Sequence, residues 1–304
     1  GVLVQTFFVD TDADGIGNVE IEVLGGLKIN GTPANPVLFK PYETTTNKNY
    51  WAGIVINSTS DNDTLNFFEI HNAYIGLNAL SVISIKGCKI YNTGYYGISI
   101  QHDENLYTTL NGIEVYNGDG IGIYLNGLTS INWGIIDSFG SHGIYVHSGG
   151  AGNLTNVDIQ NNGGAGIYLN SSDSLTVKYS YIKSNSKYGI FSKYSNCNIL
   201  YSDIETNSYS GVVVWGDNNS TVTINYSSIS NNTGNGVDIT DFGDSGYPNV
   251  TVNNTNLIDN YSSSVNVGSD QSLFPFSTND PRIGNCQYSG CYANCGNQVL
   301  PETS

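Results

Sequence analysis

The sequence predicts an all-β fold, a parallel β-helix (solenoid) of about 10–11 coils, and three observations carry that prediction. A Gly-Ile phrase or a near variant recurs ten times between Gly53 and Val265, at steps of 21 to 28 residues. Each copy opens a segment with alternating apolar residues, as in Ile98 and Ile100, Ile144 and Val146, or Ile167 and Leu169, the period of a strand with one buried face. A second apolar segment then closes on Asn. Short repeats of this size bury their apolar faces only by stacking on their neighbours.

The first unit, residues 1–18, reads as a strand followed by an acidic turn. The strand is the apolar run Val2 to Val9. In the turn, Asp10, Asp12 and Asp14 stand at positions 1, 3 and 5 of a calcium-loop spacing, Gly15 at 6, the Ile16 carbonyl at 7 and Asn18 at 9. Position 12 is Ile21 rather than the bidentate Glu, so a structural calcium ion and a plain acidic turn both remain readings of this segment.

Residues 19–268 form the coils. Their openers are Gly53-Ile54, Gly76-Leu77, Gly97-Ile98, Gly122-Ile123, Gly143-Ile144, Gly166-Ile167, Gly189-Ile190, Gly211-Val212, Gly236-Val237 and a degraded Ser264-Val265. The closers include Asn72, Asn92, Asn117, Asn161, Asn185, Asn207 and Asn231. Asn tolerates the left-handed backbone of a tight turn, and stacked side-chain amides bond from rung to rung. Between the two inward residues of each opener lies one outward residue. In four successive rungs it is Tyr124, Tyr145, Tyr168 and Phe191, which predicts a stripe of rings about 4.8 Å apart, extended by Tyr95 and Tyr96. Such a stripe stiffens the solenoid, stacks on a neutral glycan, or centres a protein contact. Tyr179, Tyr201 and Tyr226 predict a second column.

The third unit, residues 269–304, crowds Cys286, Cys291 and Cys295 into a Gly-, Tyr- and Asn-rich tail, read as a disulfide-tied cap. Cys88 and Cys197 fall five rungs apart, about 24 Å, beyond disulfide reach. No methionine and no transmembrane-length apolar run occur, and the expectation is a secreted mature chain, extracellular or at a cell surface. Asn57, Asn153, Asn170, Asn225, Asn249 and Asn260 head Asn-x-Ser/Thr triplets and are the candidate N-glycosylation sites, although this composition alone yields such triplets.

The coil period, the stretch Gly31-Thr32-Pro33-Ala34-Asn35-Pro36-Val37-Leu38-Phe39 and the following Trp51-Ala52-Gly53-Ile54 resemble the right-handed parallel β-helix proteins of the pectate-lyase-like superfamily. The resemblance implies a right-handed coil. It also implies that members acting on polysaccharides use the outer face of the opener strand, with clustered Asp and an Arg or Lys base. This chain departs from that pattern. Its single Arg, Arg282, lies beyond the last coil, and Ser141-His142-Gly143 has no acidic pair beside it. An epimerase-like echo in Tyr96 to Asp103 is loose, and its His102 reads with His147 as separate turn histidines. No catalytic residue is assigned on this basis.

Ten basic against twenty-six acidic residues give a net charge of -16, which repels phosphate backbones and excludes nucleic acid as a partner. The expected partners are a second copy of the chain and neutral glycans, with no membrane insertion. An open β-helix exposes strand edges at its ends, and neither terminus carries the signal of a capping helix. The leading expectation is therefore a non-enzymatic secreted structural protein whose rods join head to tail as a surface or extracellular filament, with an adhesive role sharing the same features. The alternative is a polysaccharide-acting enzyme of lyase or epimerase type, or a glycan-binding module that uses the ring stripe.

Overall fold

The computed structural model describes residues 2–57, 63–102, 106–172, 174–217, 219–241, 248–262, 265–267, 287–288 and 293–294. Cys286, Cys291, Cys295, Arg282 and Asp103 lie outside them.

Two parallel sheets run the length of the coil. The first is built from the openers. It stacks eleven parallel strands from Glu20–Val23, through Trp51–Ile56, Ala73–Ala79, Tyr96–Gln101 and Ile121–Asn126, to Val265–Val267. Their inward residues are in register: Ile98 pairs with Ile123, that with Ile144, and so on through Ile167, Ile190, Val212 and Val237. All of these are fully buried. The opening glycine is required by close packing. At Gly166 an added Cβ would lie 2.5 Å from Ile182 Cγ2 and 2.8 Å from Asn185 Nδ2.

The second sheet is made of longer strands that bend midway, such as Asp63–His71, Ile83–Tyr91, Tyr107–Tyr116, Leu128–Asp137 and Ala151–Gln160. One residue at each bend has left-handed backbone: Phe67, Gly87, Gly112, Trp133 and Asn156. In later rungs the bend splits the strand in two, at Tyr179, Tyr201, Tyr226 and Asn254. These residues form one column, the elbow. The Tyr column predicted from sequence is its later half, with rings 5.2 and 5.1 Å apart.

The closing asparagines divide into two adjacent columns. Asn72, Asn92, Asn117, Asn161 and Asn231 take the left-handed turn, a position that Ser184 and Thr206 fill in other rungs. Asn185 and Asn207 are instead the next residue, and they join Asn162, Asn232 and Asn260 in a buried ladder. Each Nδ2 donates to the following Oδ1 at 2.9 to 3.0 Å, and each backbone N–H donates to the same oxygen at 3.0 to 3.1 Å. Asn260 is therefore corrected as a glycosylation candidate: it is buried, and its Nδ2 donates to the Ile229 carbonyl at 2.9 Å. A second buried ladder behind the elbow runs from Ser180 through Ser202 and Ser227 to Thr255, each N–H donating to the next hydroxyl.

Both ends return to their own rod. The N-terminal strand Leu3–Thr6 pairs in parallel with Val37–Pro41, which pairs with Asp63–His71. At the far end Val265 pairs antiparallel with Ala293, and Gln287–Tyr288 lies alongside that segment. The described terminal segments thus pair within the chain, and nothing in the fold supports the filament expectation.

Candidate functional site

The outer face of the opener sheet brings the predicted stripe together as a continuous stack. Strand alternation puts Tyr124, Tyr145, Tyr168 and Phe191 outward at one register position. Successive ring centroids are 5.7, 5.2 and 5.1 Å apart, with planes within 9° of parallel. Tyr96 stacks on Tyr124 at 5.2 Å and touches Tyr95, as the sequence predicts. Trp215 closes the other end with its edge toward Phe191 at 6.0 Å, and the Lys193 ammonium lies 5.4 Å from its ring centre. The sequence reading missed Trp215, because it stands two residues past the outward position and enters from the neighbouring column.

Two histidines flank the centre of this stack. The His142 ring lies 4.7 Å from Tyr168 and 5.9 Å from Tyr145, while His147 lies 6.2 Å from Tyr145 and 6.1 Å from Tyr124. The reading of His147 as an isolated turn residue is thereby revised: the two outward positions straddling Tyr145, three residues before and two after, converge on it. Strand alternation places His147 on the Tyr145 face, whereas His142 precedes the strand Ile144–Val146 and reaches that face from the turn, which no period of two announces. His102 does stand apart, its Nε2 2.9 Å from Thr108 Oγ1.

The electrostatics of this face are those of neutral rings. Burial, with the Lys187 charge adding to it, pushes the His142 imidazole down to about 4. His142 Nδ1 accepts the Ala165 N–H at 3.1 Å, so the proton of the neutral ring sits on Nε2, a donor. Burial and neighbouring phenols hold Tyr124 and Tyr168 above the usual phenol range. Tyr145 Oη accepts the Asn170 Nδ2 at 2.9 Å. The six strand segments from residue 96 to residue 215 that carry the rings contain no Asp or Glu. The same outward position continues through Val213 to Asp238 in the next rung. Stacking, hydrogen-bond donation and proton exchange between Tyr and His are what the face can do.

The acidic N-terminal turn also closes up. Carboxylate oxygens of Asp10, Asp12 and Asp14 lie within 4.8 Å of one another. Asp10 accepts the N–H groups of Ala13 and Gly15, and Asn18 Oδ1 accepts those of Thr11 N and Oγ1. Such a donor set of hard oxygens suits a hard cation. Cys88 and Cys197 are free, buried thiols, as their separation requires. Of the remaining sequon residues, Asn57, Asn153 and Asn249 are exposed, while Asn170 and Asn225 are half-buried.

The sequence matches the family described as right handed beta helix region over residues 73–221 and 134–280, and the chain belongs to that family. Solved structures with the same fold include the A-module of mannuronan C-5 epimerase AlgE6 from Azotobacter vinelandii. It is 14% identical, with a TM-score of 0.60, and the match covers 87% of this chain and 84% of that one. The A-module of AlgE4 from the same organism gives 13% identity and a TM-score of 0.50 over 87% and 86%. The periplasmic alginate epimerase AlgG gives 15% and 0.50 over 85% and 66%. No curated protein matches the chain by sequence. Among the described residues no helix is long and apolar enough to cross a membrane.

Proposed function

We propose that this protein is a polysaccharide-acting β-helix that holds a glycan lengthwise on the ring column of its opener sheet. The observation that carries this reading is the unbroken stack from Tyr96 to Trp215, with the two histidines that flank the strand Ile144–Val146 on either side of Tyr145. The rings cover one another's faces and present a continuous strip of ring edges and phenol hydroxyls along which a sugar chain can lie, and the His142 Nε2–H and the Asn170 amide offer donors to hydroxyls. The net charge of -16 favours a neutral glycan over a polyanion. The structural neighbours, whose names place them on mannuronan and alginate, lend support to a polysaccharide as the class of ligand. A second reading, proton transfer at Tyr145 in a lyase or epimerase reaction, draws on the approach of His142 and His147.

The test is affinity electrophoresis against soluble neutral and anionic polysaccharides. Wild type is expected to be retarded by a neutral polymer, and the pair Tyr145→Ala and Tyr168→Ala to migrate freely. Equal retardation of both would overturn the proposal. Incubation with alginate and pectate, read by ultraviolet absorbance of a new double bond and by uronate epimer ratio, decides the second reading. As part of the same proposal the protein works outside the cell, with surface glycans at exposed sequons and calcium at Asp10, Asp12 and Asp14; a melting temperature unmoved by calcium would remove the ion.

A further inference from the structure

The elbow of the second sheet carries a separate groove. In three later rungs its left-handed position holds the stacked rings of Tyr179, Tyr201 and Tyr226, but at Gly87 and Gly112 there is no side chain. The gap is bounded by Phe67 at one end and Trp133 at the other, and opens as a cavity of about 560 Å³. A second cavity of about 440 Å³ continues beyond Trp133 toward Tyr179. Both sizes suit a small organic ligand.

Trp133 is the feature that packing does not explain. Its φ is 58°, a backbone region that bulky residues rarely occupy. Its surface is 68% exposed, and among the described residues no aromatic ring packs against it. Phe67, Tyr179, Tyr201 and Tyr226 share that backbone state, so what sets Trp133 apart is its exposure and its place in the lining of both hollows, where its ring can take a flat partner. The rim supplies polar groups of both signs. Glu69, Lys89 and Glu114 occupy one register column beside the gap, with Lys89 Nζ 3.0 Å from Glu114 and Glu69 3.2 Å from His71 Nε2. Lys86 lines the cavity from the other side, its ammonium 6.0 Å from the Phe67 ring centre. In the first hollow two carboxylates and two ammonium groups balance, and the second adds the carboxylate of Asp158. An anion finds no net attraction along the two hollows, whereas a ligand with apolar faces and hydroxyl edges finds rings and both donors and acceptors.

We infer that the elbow groove binds a neutral oligosaccharide, one sugar ring seated over Gly112 between the Phe67 ring, which covers Gly87, and Trp133, and the chain continuing past Trp133 into the second hollow. This site lies on the other sheet and does not rest on the ring column.

The test uses Trp133 as its own reporter in a Trp215→Phe protein, where the remaining Trp51 is buried. Titration with cellohexaose and with mannohexaose is expected to give a saturable blue shift of emission with at least one of them. Gly112→Tyr in the same protein installs the side chain that Tyr179, Tyr201 and Tyr226 carry at this position, fills the hollow, and is expected to weaken binding at least tenfold. Gly112→Asn, matching Asn156 and Asn254, is the second variant should the first misfold, with a smaller loss expected. No shift with either sugar, a shift unchanged in the correctly folded variant, or a shift seen only with oligogalacturonate would each overturn the site. Ring-column binding, read by electrophoresis on Tyr145→Ala, succeeds or fails independently.

Discussion

Asn207 shows how much one buried amide does in this coil. Its Oδ1 receives both the N–H and the Nδ2 of Asn185, and its own Nδ2 reaches Ile182 O at 3.2 Å and Asn232 Oδ1 at 3.0 Å. Asn207→Ala would leave two donors and one acceptor buried without partners, each costing about 1–3 kcal/mol, so a loss on the order of 3 kcal/mol is expected in urea unfolding. His142 sets a pH dependence. Its folded value of about 4 lies below the unfolded one near 6.5, so the unfolded chain binds the proton first and stability is lost as pH falls across that window. His142→Gln should unfold with a shallower pH slope between about 6.5 and 4 than wild type. At Cys197 burial pushes the thiol up to about 12, and it should resist thiol reagents until the chain unfolds. At this scale the sequence was half legible. It marked the Asn closers, but a turn Asn and a ladder Asn differ by one position, and that distinction depends on whether Ser184 or Asn161 takes the left-handed residue.

Two ring columns stand on different backbones, and the elements respond differently to losing a ring. Tyr168 sits in an extended strand, stacked at 5.2 and 5.1 Å, so Tyr168→Leu forfeits two contacts worth about 0.5–1.5 kcal/mol each. Tyr201 is also stacked on both sides, but at a φ of 48°, where the left-handed backbone costs a non-glycine residue about 1–2 kcal/mol. Tyr201→Gly regains what it loses, and its stability is expected to stay within about 1 kcal/mol of wild type. Similar large losses for both variants in thermal or urea unfolding would show that the elbow rings are not strained. The opener column was legible because a period of two fixes which residue faces outward. The elbow was not, since Phe, Gly, Trp, Asn and Tyr all occupy it and no single residue type announces a left-handed bend in mid-strand.

For the whole molecule the decisive elements are the ends. Leu3–Thr6 shields the edge of Val37–Pro41, so removing residues 2–8 should expose a paired edge and drive association, while the intact 32.7 kDa chain is expected to sediment as a monomer. Long polymers of the intact chain would restore the filament reading. Sequence gave the number and order of coils because the openers repeat, but a terminal strand folding back on its own rod and one reaching for a neighbour have the same residues. Which of them occurs depends on the path of the intervening loop.

Along the asparagine ladder every rung offers the same two donors forward and the same oxygen backward. Rungs are thus interchangeable parts. Excising residues 185–206 would set Asn207 where Asn185 stood and leave a rod shorter by about 4.8 Å, while duplicating them would lengthen it by as much. Copy number, and with it the reach of any bound chain, can drift by unequal recombination while the ladder's own joints are kept, although this excision would take Phe191 and Tyr201 out of the two ring columns.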